Sequence, residues 1–584
     1  MPDSLASKIL NLAIQQYQQY PAPDSAIALL RQIRETIARM WLATPSDRLE
    51  EIYRQELGEV HNLLLKSGIK YEAIAPSELS FANALRDRVA LGFQAELSLQ
   101  YLLAAMLYYR ADELNLHYQN APIPRWFLDE LIPYMVEFPS YFQHLGDVER
   151  YAQFIIDLTG FIHRHYLQNP QSAIWQQVAL SFTNRSNFVP LYFSQKNLKE
   201  VYCQRADIRE TLLKTQGNVL DWEFSQGVSD RTKIHLGILN YMFTIHPETF
   251  ATIPLFEYLD REKFDITIFV IELKGKPIEQ YCEQRADRLV QLSSELKEQV
   301  QTIRDANLDI LLFGSILTNA LQRTILLAQH RLAPIQIAHF ASPATTGIRH
   351  MDHFLSGEFA EPDTDTQAHY REKLLPLKGT GFCFSYAVEP ERSQPLKQRS
   401  DLGIPTDAIA YISAANLFKI IPEVRVTWVN AIAAVPGSVL VLMPFGPSWA
   451  RNYPRSAFAT KMRSLFAEQH IDPARLILLD TLPTRADVKA VLQLGDIYLN
   501  AYPYAGSTSI VDALEVGLPP VVMDGDSLRS RMGAALLRDL HLPELIADSE
   551  AAYLEIAKRL ATEPAWRREL QQIIRQKWSR SLTF

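Results

Sequence analysis

The sequence predicts an all-α N-terminal region followed by two α/β domains, each a doubly wound parallel sheet. Three observations predict it. Through roughly the first 215 residues, apolar side chains recur at three- and four-residue spacing, which is the helical period. From Lys233 onward, short apolar runs alternate with amphipathic segments, and strands that alternate with helices form parallel sheets covered on both faces. That alternation comes in two series, parted by a Pro-, Ser- and Arg-containing seam at 389–400. The boundaries drawn from these patterns are 1–228 for the helical domain, 229–390 for the first α/β half and 391–584 for the second.

Helical patterns run over 25–42, 46–65, 78–109, 147–166 and 196–214, separated by prolines and short polar stretches. No 34-residue helical repeat stands out. The first α/β series predicts strands at 234–240, 265–271, 308–313, 335–340 and 353–355, with helices at 293–304 and 319–329. The second predicts strands at 408–413, 439–443, 476–479, 497–500 and 521–523. Its helices are expected at 422–435, 457–468, 485–494, 508–516 and 527–540. Ligands of such sheets bind outside the carboxyl ends of the strands, so two of them place a site in the cleft between.

Composition narrows the function. A net charge of -8 argues against a nucleic-acid-binding protein. Cys203, Cys282 and Cys383 are widely spaced and form no metal or disulfide pattern, which suits a reducing compartment. The opening residues lead into an amphipathic helix rather than a leader peptide, and the most apolar run, 101–109, is too short to cross a bilayer. A cytoplasmic protein without membrane insertion is expected.

Residues 502–517, YPYAGSTSIVDALEVG, carry the strongest chemical signal. An apolar strand breaks at Pro503 and Gly506, and a helix begins near Ser507 or Thr508. Gly506, Ser507, Thr508 and Ser509 thus sit where unpaired N–H groups and the helix dipole favour a phosphate. Asp512 follows about one turn later, within reach of a sugar hydroxyl. Three other segments fall at strand ends. His246-Pro247 follows the first strand of the first half; a cleft histidine can act as base or donor, although a lone histidine is more often a cap. Pro343-Ala344-Thr345-Thr346-Gly347 is a small polar loop suited to a sugar or phosphate. Asn416-Leu417-Phe418-Lys419 offers a lysine that can neutralise a phosphate. The aromatic, Pro-rich loop 444–453 is placed to shape a sugar or acceptor pocket.

These segments and their order resemble the glycosyltransferases of the O-GlcNAc transferase and SPINDLY superfamily, including the bacterial adhesin-modifying N-glycosyltransferases. The resemblance covers roughly residues 230–580. It rests on His246-Pro247, on Ala333-Pro334-Ile335-Gln336 with Pro343-Ala344-Thr345-Thr346 and Met351-Asp352, and on Asn416-Leu417-Phe418-Lys419. It continues through Asp496, Tyr504-Ala505-Gly506-Ser507-Thr508-Ser509, Asp512-Ala513-Leu514 and Ser530-Arg531-Met532-Gly533-Ala534.

The resemblance implies a GT-B fold, two Rossmann-like domains preceded here by the all-α domain. It implies a UDP-sugar donor, UDP-glucose or UDP-GlcNAc, bound mainly by the C-terminal half. It also implies inverting transfer to a polypeptide side chain, Ser/Thr or Asn, with no metal or other cofactor. By position, Lys419 matches the lysine that supports the leaving diphosphate, and Ser507, Thr508 and Ser509 match the diphosphate loop. Asp512 matches the ribose-binding acid, and His246 the cleft histidine that acts as base or positions the acceptor. Ser507 stands where one branch has an imidazole. Positions near Thr484 and Asp487 stand where that branch has a ribose-contacting lysine and a uracil-stacking histidine. Asp524-Gly525-Asp526 is read as a turn after a strand. The alternatives are a GT-B transferase with a glycan, lipid or small-molecule acceptor, and a degenerate member that only binds sugar nucleotide or partner proteins.

Overall fold

A computed structural model describes residues 5–578 apart from 20, 225–230, 320–322, 387, 396 and 447–452. It shows a helical region leading into two parallel α/β sheets. The helix Asp147–Gln168 illustrates how the first part forms. Its buried Val148, Tyr151, Ala152, Ile155, Leu158, Ile162 and Tyr166 lie along one stripe, which packs on the helix Lys199–Thr215.

Two predicted helices are broken. The 78–109 pattern splits into Pro76–Val89 and Ser98–Met106, because Gly92 and Leu97 adopt positive φ of 86° and 58° between them. The 46–65 pattern becomes short turns, a π-helical turn Tyr53–Leu57 and a helix Gly58–Ser67. Apolar periodicity survives both breaks, so spacing alone conceals them.

The first sheet contains β1 (Ile234–Asn240), β2 (Phe264–Val270), β3 (Arg288–Gln291), β4 (Ile310–Phe313), β5 (Ile335–His339), β6 (His353–Gly357) and β7 (Lys373–Leu377). Their order is 3-2-1-4-5-6-7, and all neighbours are parallel. The sequence reading misses β3 and β7. Both are edge strands with polar or exposed ends, and β7 includes Pro376, which an edge position tolerates. The second sheet contains β8 (Ala410–Ser413), β9 (Val439–Leu442), β10 (Leu476–Leu478), β11 (Ile497–Leu499), β12 (Pro520–Met523) and β13 (Ile546–Ala547), ordered 10-9-8-11-12-13 and again parallel. Its central strands are buried on both faces, which is why they read as unbroken apolar runs. Strand order reverses between β1 and β4 in one sheet and between β8 and β11 in the other, and ligands gather above such reversals. The helices Glu550–Thr562 and Pro564–Trp578 follow the second sheet.

The helical region packs on both halves. Tyr202 donates to the Thr318 carbonyl at 3.0 Å, and Arg205 donates to the same carbonyl at 3.0 Å. Arg529 of the second half donates to the carbonyls of Ser194 at 2.8 Å and Lys196 at 2.7 Å. Phe138 meets Phe418 edge-to-face at 5.0 Å. Removing the helices exposes these surfaces, so a fragment beginning at Lys233 is expected to aggregate. Size-exclusion chromatography checks this; a monomeric fragment with the full activity of the whole chain would contradict it.

Candidate active site

The second sheet's reversal is spanned by side chains. β8 ends at Ser413, and the chain turns through Asn416 into a single tight turn, Leu417–Lys419. Asn416 builds that turn: its Oδ1 accepts from the Phe418 N–H at 3.2 Å, and its Nδ2 donates to the Tyr453 hydroxyl at 2.7 Å and the Gly446 carbonyl at 3.3 Å. It is a buried cap that aims Lys419. Lys419 Nζ reaches across to the loop after β11 and donates to the Ala505 carbonyl at 2.9 Å. It lies 3.9 Å from the centre of the Tyr504 ring. Burial lowers its pKa to about 7. An ammonium with no carboxylate in its first contacts is poised to gain an anion.

The loop after β11 begins the helix Thr508–Glu515. Ser507 is the N-cap residue and makes no capping hydrogen bond through its side chain. The first N–H groups of a helix have no partner within it, so the Ser507–Ser509 end carries donors and the positive pole of the dipole. Gly506 permits this approach, since a Cβ there would lie 2.3 Å from Ser509 Oγ and 2.9 Å from Asn500 Oδ1. Lys419, Gly506, Ser507, Thr508 and Ser509 therefore converge at one end of the sheet, as the sequence expects.

Asp512 lies on the same helix, but its carboxylate turns onto Arg485, whose Nε donates to Oδ1 at 2.5 Å. Burial pushes the Asp512 pKa up to about 6 while Arg485 pulls it down. Arg485 also pairs with Glu389 at 3.0 Å and with Glu515, and it covers the Tyr386 ring at 3.7 Å. Sequence reasoning missed Arg485 and Tyr386, and gave Tyr504 a place in the motif but no role. A signal existed for the first: Thr484 and Asp487 form a capping box that opens the helix Arg485–Leu492 and fixes the residue between them. Asp487 also accepts from the N–H groups of Ser393 at 3.1 Å and Gln394 at 3.0 Å, so it ties down the linker between the halves.

His246 caps the helix Pro247–Thr252 after β1, its Nδ1 accepting from the Glu248 N–H at 3.3 Å. It is half-buried, and burial lowers its pKa. It stands at the carboxyl end of the first sheet. Phe250 of the same helix packs on Tyr386 at 4.7 Å, which links this end to Arg485 and Asp512.

Pro343, Thr345 and Thr346 do not join this site. All three are buried, with Thr345 only 1% and Thr346 2% exposed. Thr345 Oγ1 donates to Glu372 at 2.5 Å, and the N–H and hydroxyl of Thr346 donate to the same carboxylate. Gly347, at φ 67°, lets the loop press on the helical region, where a Cβ would sit 2.3 Å from the Tyr202 backbone. The loop reads as a ligand loop by composition, but its hydroxyls serve packing. Residues 447–452 of the expected 444–453 pocket loop lie outside the described residues. Asp524 pairs with Arg531 at 3.3 Å and with Arg538, at the end of β12.

Two facing Rossmann-like sheets with a lysine and a helix N-terminus at one reversal define the GT-B class of glycosyltransferase fold. Residues 385–584 match the model of glycosyl transferase family 41, so the resemblance to the O-GlcNAc transferase and SPINDLY superfamily holds. The chain is similar to "Probable UDP-N-acetylglucosamine--peptide N-acetylglucosaminyltransferase SPINDLY" of Oryza sativa subsp. japonica, 31% identical over 42% of this chain and 25% of that protein. It is similar to the SEC protein of the same description from Arabidopsis thaliana, 25% identical over 56% of this chain and 33% of that protein. The chain thus spans about a quarter to a third of the length of these curated relatives. A mutant O-GlcNAc transferase from Thermobaculum terrenum has the same fold, with a TM-score of 0.57 and 18% identity over 99% of this chain and 94% of that one. No helix among the described residues is long and apolar enough to cross a membrane.

Proposed function

We propose that this protein is an inverting, metal-independent glycosyltransferase that moves GlcNAc or glucose from a UDP-sugar to a Ser/Thr or Asn side chain of a polypeptide in the cytoplasm. The observation that carries the reading is Lys419 spanning the reversal of the second sheet, beside the Gly506–Ser509 helix start. Bond cleavage at the anomeric carbon leaves growing negative charge on the diphosphate. A fixed ammonium and a helix N-terminus stabilise that charge more in the transition state than in the ground state, which is the condition for catalysis. Asp512 and Arg485 supply a paired acceptor and donor one turn along, suited to ribose hydroxyls and the flanking phosphate. The activity named for the SPINDLY and SEC relatives, GlcNAc transfer to peptide, supports the donor and acceptor classes.

The test is UDP release from UDP-GlcNAc and UDP-glucose, with and without a protein lysate, read together with the intact mass of modified proteins and repeated in excess EDTA. Release that depends on acceptor protein, with a hexose or N-acetylhexosamine mass added and no loss on chelation, is expected. A requirement for added Mg²⁺ or Mn²⁺ would overturn metal independence. Modification of a glycan or small molecule alone would move the acceptor to another class, and no release from any donor would leave a binding protein.

A further inference from the structure

The lysine at the second sheet's reversal rests on a surface that the helical region helps to build. Lys419 Nζ meets the Ala505 carbonyl at 2.9 Å and the Tyr504 ring at 3.9 Å. Burial works against its charge, so a fixed carbonyl and a ring face favour the ammonium. Ala505 is fully buried and pinned on either side. Its N–H donates to the Arg529 carbonyl at 3.0 Å, and the next N–H, of Gly506, donates to Asn500 Oδ1 at 3.1 Å. The carbonyl between those two N–H groups therefore has a fixed direction, and Lys419 is the donor it meets.

Behind this surface stands a stretch of the helical region that starts in the turn Val189–Phe193. The rings of Tyr192 and Phe193 pack on Tyr504 at 5.2 and 6.0 Å. Arg529 is 3% exposed, and its guanidinium donates to the carbonyls of Ser194 and Lys196. Ser194 donates through its hydroxyl to Glu149 at 2.9 Å, and the Gln195 N–H donates to the other oxygen of that carboxylate at 3.1 Å. Glu149 lies in the first turn of the helix Asp147–Gln168. One continuous set of contacts thus runs from that helix, through Ser194, Arg529 and Ala505, to Lys419 Nζ.

We propose, resting on the glycosyl-transfer reading above, that Tyr504 and Arg529 are positioning residues for Lys419, Tyr504 by direct contact with the ammonium and Arg529 by fixing the Ala505 carbonyl against the helical region. The helical region then contributes to the transfer step through these contacts, apart from any hold on the acceptor. A lysine displaced by about 1 Å from the developing charge loses much of its transition-state advantage while it still attracts UDP, so the loss falls on kcat more than on KM.

Full-length Tyr504→Leu, Tyr504→Phe and Arg529→Met are compared with wild type for transfer kcat, donor KM and UDP affinity, alone and combined with Lys419→Ala. Thermal unfolding checks that each folds, and Tyr504→Met and Arg529→Lys replace any variant that does not, under the same criteria. Tyr504→Leu and Arg529→Met are expected to lower kcat by about 10- to 10²-fold. Donor KM and UDP affinity change by at most about threefold. Tyr504→Phe, which keeps the ring, recovers most of the loss. Combined with Lys419→Ala, neither Tyr504→Leu nor Arg529→Met lowers kcat further, because residues that act through one group are not additive. Near-normal kcat in folded Tyr504→Leu or Arg529→Met, a loss confined to KM, an equal loss in Tyr504→Phe, or losses that multiply with that of Lys419→Ala would overturn the proposal. Absence of transfer by the wild type would instead overturn the glycosyl-transfer reading, and the proposal with it.

Discussion

Lys419→Ala lowers turnover by about 10²–10³-fold and leaves the fold intact. The size follows from removing one preorganised donor from the site of developing charge. The fold survives because Lys419 is half-buried at the carboxyl end of the sheet, hydrogen-bonded to the Ala505 carbonyl and resting on Tyr504. UDP affinity falls less, since the Ser507–Ser509 helix start remains. The pH dependence separates this lysine from an ordinary cation. Lys419 titrates near 7 in the free protein, and a diphosphate beside it favours the ammonium. Above pH 7 binding must take up a proton, so UDP affinity declines with rising pH by up to about tenfold per unit. Lys419→Met abolishes that part of the decline. Calorimetry in buffers of different ionisation heat measures the uptake. Turnover near that of wild type, or an unchanged pH slope in Lys419→Met, would remove Lys419 from the chemistry.

Arg425→Ala lowers stability by about 3–5 kcal/mol, through two buried acceptors left unpaired and the cavity left behind. Arg425 is 0% exposed on the helix Pro422–Ala434. It donates to the Tyr141 hydroxyl and the Phe142 carbonyl of the helical region, and its guanidinium lies 4.6 Å from the Tyr141 ring centre. Nearby, Glu423 accepts from the Gly146 N–H at 2.9 Å, so one turn of this helix fastens two segments of the chain. Arg48→Ala is the control: its ion pair with Glu51 is half-exposed on both sides and its loss is near-neutral. Denaturant unfolding of both variants checks the contrast. A loss below about 1 kcal/mol in Arg425→Ala would mean that water replaces the guanidinium.

The sequence carried the sheets and the Lys419 and Gly506–Ser509 end of the candidate site because both depend on local pattern. Doubly buried strands such as β8 and β9 must be apolar throughout, and a helix start after a strand needs Gly506 and small polar caps. Edge strands β3 and β7 lack that constraint and went unread. The Pro343–Gly347 loop shows the converse limit. Small hydroxyl residues suit a sugar or a buried carboxylate equally, and only Glu372, some 26 residues away in sequence, decides which. Asn416 is similar: its place in the motif is legible, but its work as a cap depends on Tyr453 and Gly446. Arg485 was passed over because its meaning comes from partners distant in sequence, Asp512, Glu515 and Tyr386.

Tyr192 carries a mechanical consequence. Its hydroxyl donates to Thr318 Oγ1 at 2.5 Å in the first half, and its ring lies 5.2 Å from Tyr504 beneath Lys419 in the second. Two halves joined by a linker invite hinge motion, with substrate entering while they gape. A side chain that touches both leaves adds a contact that such motion would have to break. On the proposed glycosyl-transfer reading, loosening Tyr192 is expected to change the rate of opening, and so of product release, before it changes the chemistry.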